Sequence, residues 1–270
     1  MEQIKARTLF QKATGFIQRG GFDWTCNPYV GCTFGCLYCY AAYLPQNDRP
    51  LEDWGKWFRI KKNAIELAEK ETRKLAGQSI YMSSVTDPYQ PIERKIMLTR
   101  GILEASLSVS KQAFCCQEPR WVIQTRGPMV VRDIDLLTRF SALRVNLSIP
   151  TDHEEIAKLY EPKAPSLESR WRAAHQLQNA GVAIGICVTP TLPLKDPIAF
   201  ADRLLEFRPE VLVTQPFHER TSGFGANTSA KAVELLKSSG WSTTSYQNFV
   251  AYLKKYRIVY EGEAGFFPPD

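Results

Sequence analysis

Four of the chain's seven cysteines lie within one short stretch, WTCNPYVGCTFGCLYCYAAY (24–43). Three of them, Cys32, Cys36 and Cys39, follow the spacing C-x3-C-x2-C. Thiolates are soft ligands that bind zinc or iron–sulfur clusters. A structural zinc site normally fills all four ligand positions with protein side chains, so three close cysteines favour an iron–sulfur cube with one iron left open. Such an iron can bind a substrate or a cofactor.

The residues between these cysteines suit a tight wrap around a cluster. Gly31 and Gly35 can adopt backbone angles that are closed to other residues, and Phe34 can shield a cluster from water. The alternative is a zinc knuckle that recruits Cys26, giving C-x5-C-x3-C-x2-C, but its first gap is long for that class. We expect Cys26 to be an unligated thiol at the end of the first strand.

The motif CTFGCLYC, within NPYVGCTFGCLYCYA (27–41), resembles the radical S-adenosylmethionine (SAM) superfamily, and in particular its spore photoproduct lyase-like branch, also described as DNA repair photolyase-like. This resemblance implies a [4Fe–4S] cluster on Cys32, Cys36 and Cys39, with SAM bound at the open iron. It also implies reductive cleavage of SAM to methionine and a 5′-deoxyadenosyl radical, which takes a hydrogen atom from a substrate. An electron donor of flavodoxin or ferredoxin type is the implied partner.

Composition sets broad limits on the protein. The chain has 270 residues, of which 44% are hydrophobic, so one large domain or two small ones can form a core. It has no apolar run long enough to span a membrane and no signal peptide at its start, and its cysteines are expected as thiolates, so we expect a cytoplasmic protein. The formal net charge of +6 permits, but does not require, a nucleic-acid partner.

Predicted strands and helices alternate along the chain. The strands are expected before Cys32 and at 79–85, 121–125, 143–149, 182–188 and 210–214. The helices are expected at 56–76, 99–109, 133–140, 166–180 and 197–207. Such alternation requires parallel strands with right-handed crossovers. The resemblance likewise implies an α/β fold, a partial (β/α)6 TIM-type barrel, in which working groups lie at the carboxyl ends of the strands.

We expect three parts of the chain. Residues 1–23 form a polar N-terminal extension on the outside, 24–215 form the radical SAM core, and 216–270 form a helical C-terminal extension that caps the barrel, with helices near 228–238 and 245–255. Cys115 and Cys116, between a helix and a strand, are expected to be apolar filler because adjacent cysteines rarely bind one metal.

Polar side chains at the ends of the predicted strands are candidates for binding SAM. Ser84, Thr86 and Asp87 follow the second strand, where hydroxyls and a carboxylate suit the ribose or the methionyl amine. The resemblance matches Thr86 to a position that contacts SAM in the family. A turn before Pro88 explains Asp87 equally well.

Two arginines and a serine extend this set. Arg126, after the third strand, can form a bidentate contact with a carboxylate such as that of SAM. Ser148, at the end of the fourth strand, resembles a SAM-contacting serine of the family. Arg170 and Glu161 either bind the head group of SAM or pair with each other, and for Glu161 we favour the pairing.

Tyr38 and Tyr40 flank the last cysteine of the motif. The resemblance implies that Tyr38 lies against the adenine and that both tyrosines are candidates for a hydrogen-atom relay. The lyase relay also uses a cysteine, and Ser84 stands at that position here. A serine O–H bond is too strong to give up its hydrogen atom readily, so this chain departs from the lyase pattern. Cys187, in the fifth strand, is expected in the core, with an orientation into the barrel as the alternative.

The substrate class follows from the resemblance alone. It implies a nucleic-acid lesion or a modified base, which the modest basic charge permits. The alternatives are a radical SAM enzyme acting on a protein side chain or a small metabolite, and a zinc-stabilised binding module without catalysis.

Overall fold

The computed structural model describes residues 2–44, 47–113, 117–219 and 227–270. Its strands are β1 (Glu2–Ile4), β2 (Phe10–Lys12), β3 (Trp24–Cys26), β4 (Tyr29–Val30), β5 (Arg59–Lys61), β6 (Ser79–Met82), β7 (Arg120–Thr125), β8 (Leu143–Ser148), β9 (Ala183–Val188), β10 (Val211–Thr214) and β11 (Tyr260–Glu261). Its helices are α1 (Gly15–Arg19), α2 (Ala64–Glu71), α3 (Glu93–Ile96), α4 (Leu98–Ala113), α5 (Ile134–Leu137), α6 (Glu154–Tyr160), α7 (Leu167–Asn179), α8 (Pro197–Phe207), α9 (Ala230–Ser238) and α10 (Thr243–Lys254). The prediction for Cys115 and Cys116 lies outside the described residues.

Most strands form one eight-stranded sheet in the order β11-β10-β9-β8-β7-β6-β3-β2. The six strands from β3 to β10 in this order are parallel to their neighbours. They are the six strands predicted from the sequence, and helices connect them, so the partial barrel is confirmed. Only β2 runs antiparallel, against β3 at one edge of the sheet.

Side chains alternate between the two faces of this sheet, as the period of two of a β-strand requires. One face packs against the helices and includes Ile80, Ile123 and Val145 in the main core. The other face points into the barrel, where Val122 and Cys187 join a separate apolar cluster. The barrel therefore has an apolar outer layer under its helices and its own small core inside.

The base of the barrel is closed by segments from both ends of the chain. Ile17 and Phe22, from the N-terminal segment, are buried in the same inner cluster as Tyr81 and Phe266. Phe22 and Phe266 lie edge-on to the ring of Tyr81, with centroids 5.1 and 6.2 Å away. The N-terminal segment is thus partly interior rather than wholly outside, because its few apolar side chains are buried against the inward face of the strands.

Several elements differ from the prediction, and among the strands β1, β2, β4 and β5 were not predicted. The helix expected at 56–76 begins only at Ala64, because residues 59–61 form β5, which pairs with β1 and β4 in a second, three-stranded sheet. Helix α6 was not predicted. Strand β11, also unpredicted, adds a parallel strand beside β10.

Helices α4, α5, α7 and α8 lie within or close to the predicted ranges, whereas the short helices α1 and α3 were not predicted. Ser166 caps α7 by accepting a hydrogen bond from the Ser169 backbone N–H at 3.3 Å, and Gly181 follows the helix with a φ of +81°. Helices α9 and α10 form at the two C-terminal positions predicted. In the described part of the chain, no helix has the length and apolar character needed to cross a bilayer.

Candidate active site

The cysteine loop begins directly after β4 and is held by close backbone packing. Gly31 and Gly35 have φ values of +80° and +64°, which most residues avoid. A Cβ on Gly31 would lie 2.8 Å from the Trp57 ring, and one on Gly35 would lie 3.0 Å from the Gly55 Cα. The two glycines therefore allow the loop to turn tightly beneath residues 54–57.

The loop gathers its three thiols in one apolar cluster. Cys32 and Cys36 are buried with Phe34, and the partly buried Cys39 packs against them. All three are free cysteines. Burial raises the pKa of the Cys32 thiol to about 12 and that of Cys36 well above its usual value, so metal binding must displace protons here.

Three free thiols, two buried and one partly buried, around a loop of aromatic residues suit an iron–sulfur cluster. Among the described residues, no three His, Cys, Asp or Glu side chains are grouped around a single metal-ion position. Cys26 belongs to another part of the molecule, because it lies fully buried in the main core with Phe10 and Met82.

Arg126 turns toward the cysteine loop from the end of β7. Its Nη1 donates to Cys36 Sγ and to the Tyr38 hydroxyl, both at 2.9 Å, and also to Glu161 Oε1. The side chain is 18% exposed, so these contacts are largely shielded from water. Arg126 thus places a positive charge directly beside one thiol.

Glu161 is the fixed point of this arrangement. Its side chain is fully buried, and its carboxylate accepts hydrogen bonds from Arg126, Tyr38 and Arg170. Burial alone would raise the pKa of Glu161, but Arg126, Arg170 and the Tyr38 hydroxyl outweigh burial and lower it. The carboxylate therefore stays charged between two guanidinium groups.

Arg170 is occupied by protein groups on all sides. Its Nη1 donates to the Ser148 carbonyl at 3.1 Å, its Nε to the Pro165 carbonyl at 3.0 Å, and its Nη2 to Glu161 and Pro165. Of the two alternatives for Arg170 and Glu161, their mutual pairing is the arrangement that the structure contains.

The end of β6 is joined to the cysteine loop. Thr86 donates from Oγ1 to the Gly31 carbonyl at 2.6 Å, and the Tyr40 hydroxyl donates to the Ser84 carbonyl. The Ser84 hydroxyl accepts from Asn27 Nδ2 at 3.3 Å. Tyr40 is therefore in direct contact with the backbone of Ser84.

Asp87 supports the backbone around Arg126. Its carboxylate accepts from the Tyr89 N–H at 2.9 Å, from Thr125 Oγ1 at 2.7 Å and from the Arg126 N–H at 2.9 Å. The first of these bonds is the turn expected before Pro88. Through the other two, Asp87 fixes the point where β7 ends and Arg126 turns.

Several polar side chains lie on the inward face of the barrel, above its apolar base. Gln124 Nε2 donates to Ser148 Oγ at 2.9 Å, and Gln124 Oε1 accepts from the Tyr81 hydroxyl at 3.1 Å. Cys187 Sγ lies 3.6 Å from the same oxygen, so this thiol points into the barrel. Asn146 Nδ2 is buried without a hydrogen-bond partner in the described residues.

Sequence reasoning missed two glutamines that organise this region. Gln90 Oε1 accepts from both the N–H and the hydroxyl of Thr33 inside the cysteine loop, at 3.1 and 3.2 Å. Gln124 connects Ser148 to Tyr81. The sequence did contain a signal for Gln124. Side chains alternate along a strand, and Trp121 and Ile123 lie on the face toward the helices, so Gln124 belongs to the face inside the barrel.

Comparison with solved structures places the fold among radical SAM enzymes. Spore photoproduct lyase variants match 96% of this chain and 81% of their own with a TM-score of 0.63, at 13–14% identity; one of them contains AdoMet and dinucleoside spore photoproduct. Streptococcus suis SuiB bound to S-adenosylmethionine matches 88% of this chain and 49% of its own, with a TM-score of 0.58 and 11% identity. At these identities the likeness concerns the fold alone.

Comparison with curated sequences finds relatives in archaea and a virus. An uncharacterised protein of Methanocaldococcus jannaschii is 34% identical over 173 residues, which cover 64% of this chain and 62% of that protein. One from Acidianus two-tailed virus is 28% identical over 194 residues, covering 66% and 61%. The matched region thus spans about three fifths of either relative.

The family model described as the radical SAM superfamily matches residues 26–204. With the cysteine loop and the partial barrel, this match establishes that the chain belongs to the radical SAM superfamily.

Proposed function

We propose that the protein is an enzyme that binds a [4Fe–4S] cluster through Cys32, Cys36 and Cys39 and cleaves SAM reductively. The observation that carries this proposal is the gathering of three free thiols, two of them buried, in one apolar cluster with Arg126 against Cys36. When bound, the cluster and SAM would together supply a 5′-deoxyadenosyl radical for abstraction of a hydrogen atom from the substrate. The residues of the chain bind, shield and orient these groups.

The residues around the loop divide into two sets in this proposal. Tyr38, Arg126 and Glu161 form the charged wall beside the thiols, where Arg126 balances the negative charge of a thiolate and Glu161 holds Arg126 in place. Ser84, Thr86 and Ser148 lie at the carboxyl ends of β6 and β8, where a barrel enzyme holds its ligands. We propose the latter set as the residues nearest to SAM.

Asp87 and Arg170 support this site in a different way. Both are buried and make several hydrogen bonds to the protein, so we propose that they position Arg126 and the end of β8 rather than contact SAM. Tyr38 and Tyr40 remain candidates for the catalytic tyrosines. The bond between Tyr40 and the Ser84 carbonyl supports a role for Tyr40 near the substrate.

The proposed substrate is a nucleic-acid lesion or a modified base. It is supported by the likeness in fold to spore photoproduct lyase, one structure of which contains a dinucleoside lesion, and by the net charge of +6. A reaction other than that of the lyase is favoured by Ser84, because its hydroxyl is a poor hydrogen-atom donor. A protein or small-metabolite substrate is therefore the second candidate.

Two further proposals concern the whole chain. We propose that the division into 1–23, 24–215 and 216–270 describes an extension, a core and a cap, although the first segment contributes Ile17 and Phe22 to the barrel interior. We also propose that the protein works in the reducing cytoplasm, where thiolates and clusters persist.

Anaerobic reconstitution tests the main proposal. The protein is loaded with iron and sulfide, incubated with SAM and dithionite, and the products are identified by mass spectrometry with and without damaged oligonucleotides. About four irons per chain and release of 5′-deoxyadenosine are expected. Colourless protein with stoichiometric zinc and no deoxyadenosine would instead support the zinc-stabilised binding module.

A further inference from the structure

A cavity of about 570 Å³ opens on the surface beside the cysteine loop. The residues that line it include Thr33 and Gly55 on one side and three lysines, Lys56, Lys95 and Lys163, around them. None of the residues proposed above to bind SAM or substrate lines it. The cavity is therefore distinct from the residues proposed to bind SAM.

The wall of this cavity is part of the proposed cluster site. Thr33 lies between Cys32 and Cys36 in the sequence, and its backbone and hydroxyl are fixed by Gln90. Gly55 packs against the loop so closely that a Cβ there would lie 2.6 Å from the Gly35 Cα. The cysteine loop and the segment that packs on it therefore both contribute to the wall of the cavity.

The three lysines give this cavity a positive charge. None of its lining residues is acidic. Lys56 forms an exposed ion pair with Asp53 at 3.0 Å, and Lys163 Nζ donates to the Gly55 carbonyl at 2.7 Å. Lys95 is exposed, and within the described residues neither it nor Lys163 forms an ion pair with an acidic side chain. Two charges are thus left for a partner to neutralise.

A four-residue segment links this surface to the interior of the site. Glu161 points inward and holds Arg126, Ala164 packs against the apolar cluster of the thiols, and Lys163 between them lies on the surface. A partner that contacts Lys163 thus lies beside the segment that carries both Glu161 and Ala164.

We propose that this basic cavity docks the acidic surface of a small one-electron donor protein of the flavodoxin or ferredoxin class. The inference rests on the proposed function, because only that function needs an external electron. In the docked complex the donor would be oxidised by one electron, the cluster held by the three cysteines would be reduced by that electron, and no atom would be transferred. Opposite charges on the two surfaces raise the association rate and set the orientation of the complex.

Binding and turnover test this proposal separately. The affinity of oxidised flavodoxin for the anaerobically prepared, cluster-loaded protein is measured by isothermal titration at low and high salt. The triple variant K56E/K95E/K163E should bind flavodoxin at least about tenfold more weakly at low salt, and the difference should shrink as salt rises. The matched control is Lys255→Glu, an exposed lysine at the end of α10, which should bind like the unaltered protein.

Cleavage assays then distinguish this proposal from the function on which it rests. Flavodoxin-driven cleavage of SAM should fall in the triple variant while dithionite-driven cleavage stays the same. If the unaltered protein does not cleave SAM with dithionite, the proposed function fails, whereas the binding result still decides the docking surface. If the triple variant loses its cluster, the single variant Lys95→Glu decides instead.

Three results would overturn the docking proposal. The first is unchanged flavodoxin affinity in the triple variant, and the second is an equal loss in Lys255→Glu. The third is an oligonucleotide that competes with flavodoxin for the unaltered protein and itself needs the three lysines, which would assign the surface to nucleic acid.

Discussion

Arg126 Nη1 lies 2.9 Å from Cys36 Sγ, so a guanidinium group directly contacts one of the three thiols of the loop. The sequence suggested a different use for this arginine, as a ligand for the carboxylate of SAM. In the structure its Nη1 is shared by Cys36, Glu161 and the Tyr38 hydroxyl, and a contact between the guanidinium group and SAM stays a prediction.

This contact predicts a redox effect. Arg126→Gln removes a positive charge beside a cluster thiolate, and the reduced, more negative state of the cluster should become less stable. We expect a lower reduction potential, measured by redox titration with electron paramagnetic resonance. Arg126→Lys, which keeps the charge, is the control; equal potentials in the unaltered protein and Arg126→Gln would show that the guanidinium does not act on the cluster.

Glu161→Gln should destabilise the fold. The change leaves Arg126 and Arg170 without the buried carboxylate between them, and removal of one member of a buried ion pair costs about 3–5 kcal/mol. The free energy of unfolding in urea measures this loss. The control is Glu155→Gln, an exposed residue of α6, which should change stability by less than about 0.5 kcal/mol.

The stability difference between the unaltered protein and Glu161→Gln should depend on pH. The folded protein holds the pKa of Glu161 below its ordinary value of 4.5, so the stability that its charge provides is fully present above pH 4.5. That contribution is lost as the pH falls through the lower, folded pKa. The difference between the unaltered protein and Glu161→Gln should therefore shrink below pH 4.5, and a constant difference down to pH 3 would contradict the assignment.

Gly35→Ala should impair iron retention. Alanine at a φ of +64° is strained by about 1–2 kcal/mol, and its Cβ would also lie 3.0 Å from the Gly55 Cα. Gly181 is a matched control, since it has a φ of +81° but no atom within 4 Å of an added Cβ. Iron per chain after desalting should fall in Gly35→Ala and not in Gly181→Ala; similar iron contents would mean that the close approach to Gly55 is unimportant.

Cys26→Ala should leave the iron content unchanged, whereas Cys36→Ala should abolish it. Cys26 is fully buried in the main core with Phe10 and Met82, apart from the apolar cluster of the other three thiols. Iron analysis and the visible absorption spectrum after anaerobic reconstitution compare the two variants. Loss of iron in Cys26→Ala would restore a four-thiolate site to consideration.

Cys26 and Cys187 should resist alkylation in the folded protein. Burial raises the pKa of each thiol to about 12, so at pH 8 almost none of either is the reactive thiolate. Mass spectrometry after a short iodoacetamide treatment, with and without urea, measures the modified fraction of each residue. Rapid modification of Cys187 without urea would mean that the barrel interior is open to reagents.

The parts of the fold that local signals specify were predictable. The six barrel strands are short apolar runs separated by helical segments, and both signals are read within a few residues. The cysteine loop was predictable for the same reason, since its spacing and its glycines lie within ten residues. The sequence left two interpretations open for Asp87, because an aspartate before a proline is compatible both with a turn and with a residue that binds a ligand.

The features that the sequence did not predict depend on contacts between distant parts of the chain. Arg126 faces Cys36 because Glu161, 35 residues further on, holds it there, and no local pattern reports such a pairing. Residues 59–61 form a strand rather than part of a helix because β1 and β4 lie on either side of them. The burial of Phe22 likewise depends on Phe266 at the other end of the chain.

The packing of Phe22 and Phe266 around Tyr81 fills the base of the barrel with apolar side chains. A reacting molecule would then enter and leave at the carboxyl ends of the strands, beside the cysteine loop. If the substrate is a nucleic acid, as proposed above, it would have to present a single protruding unit, as a duplex does when one base is flipped out of its stack.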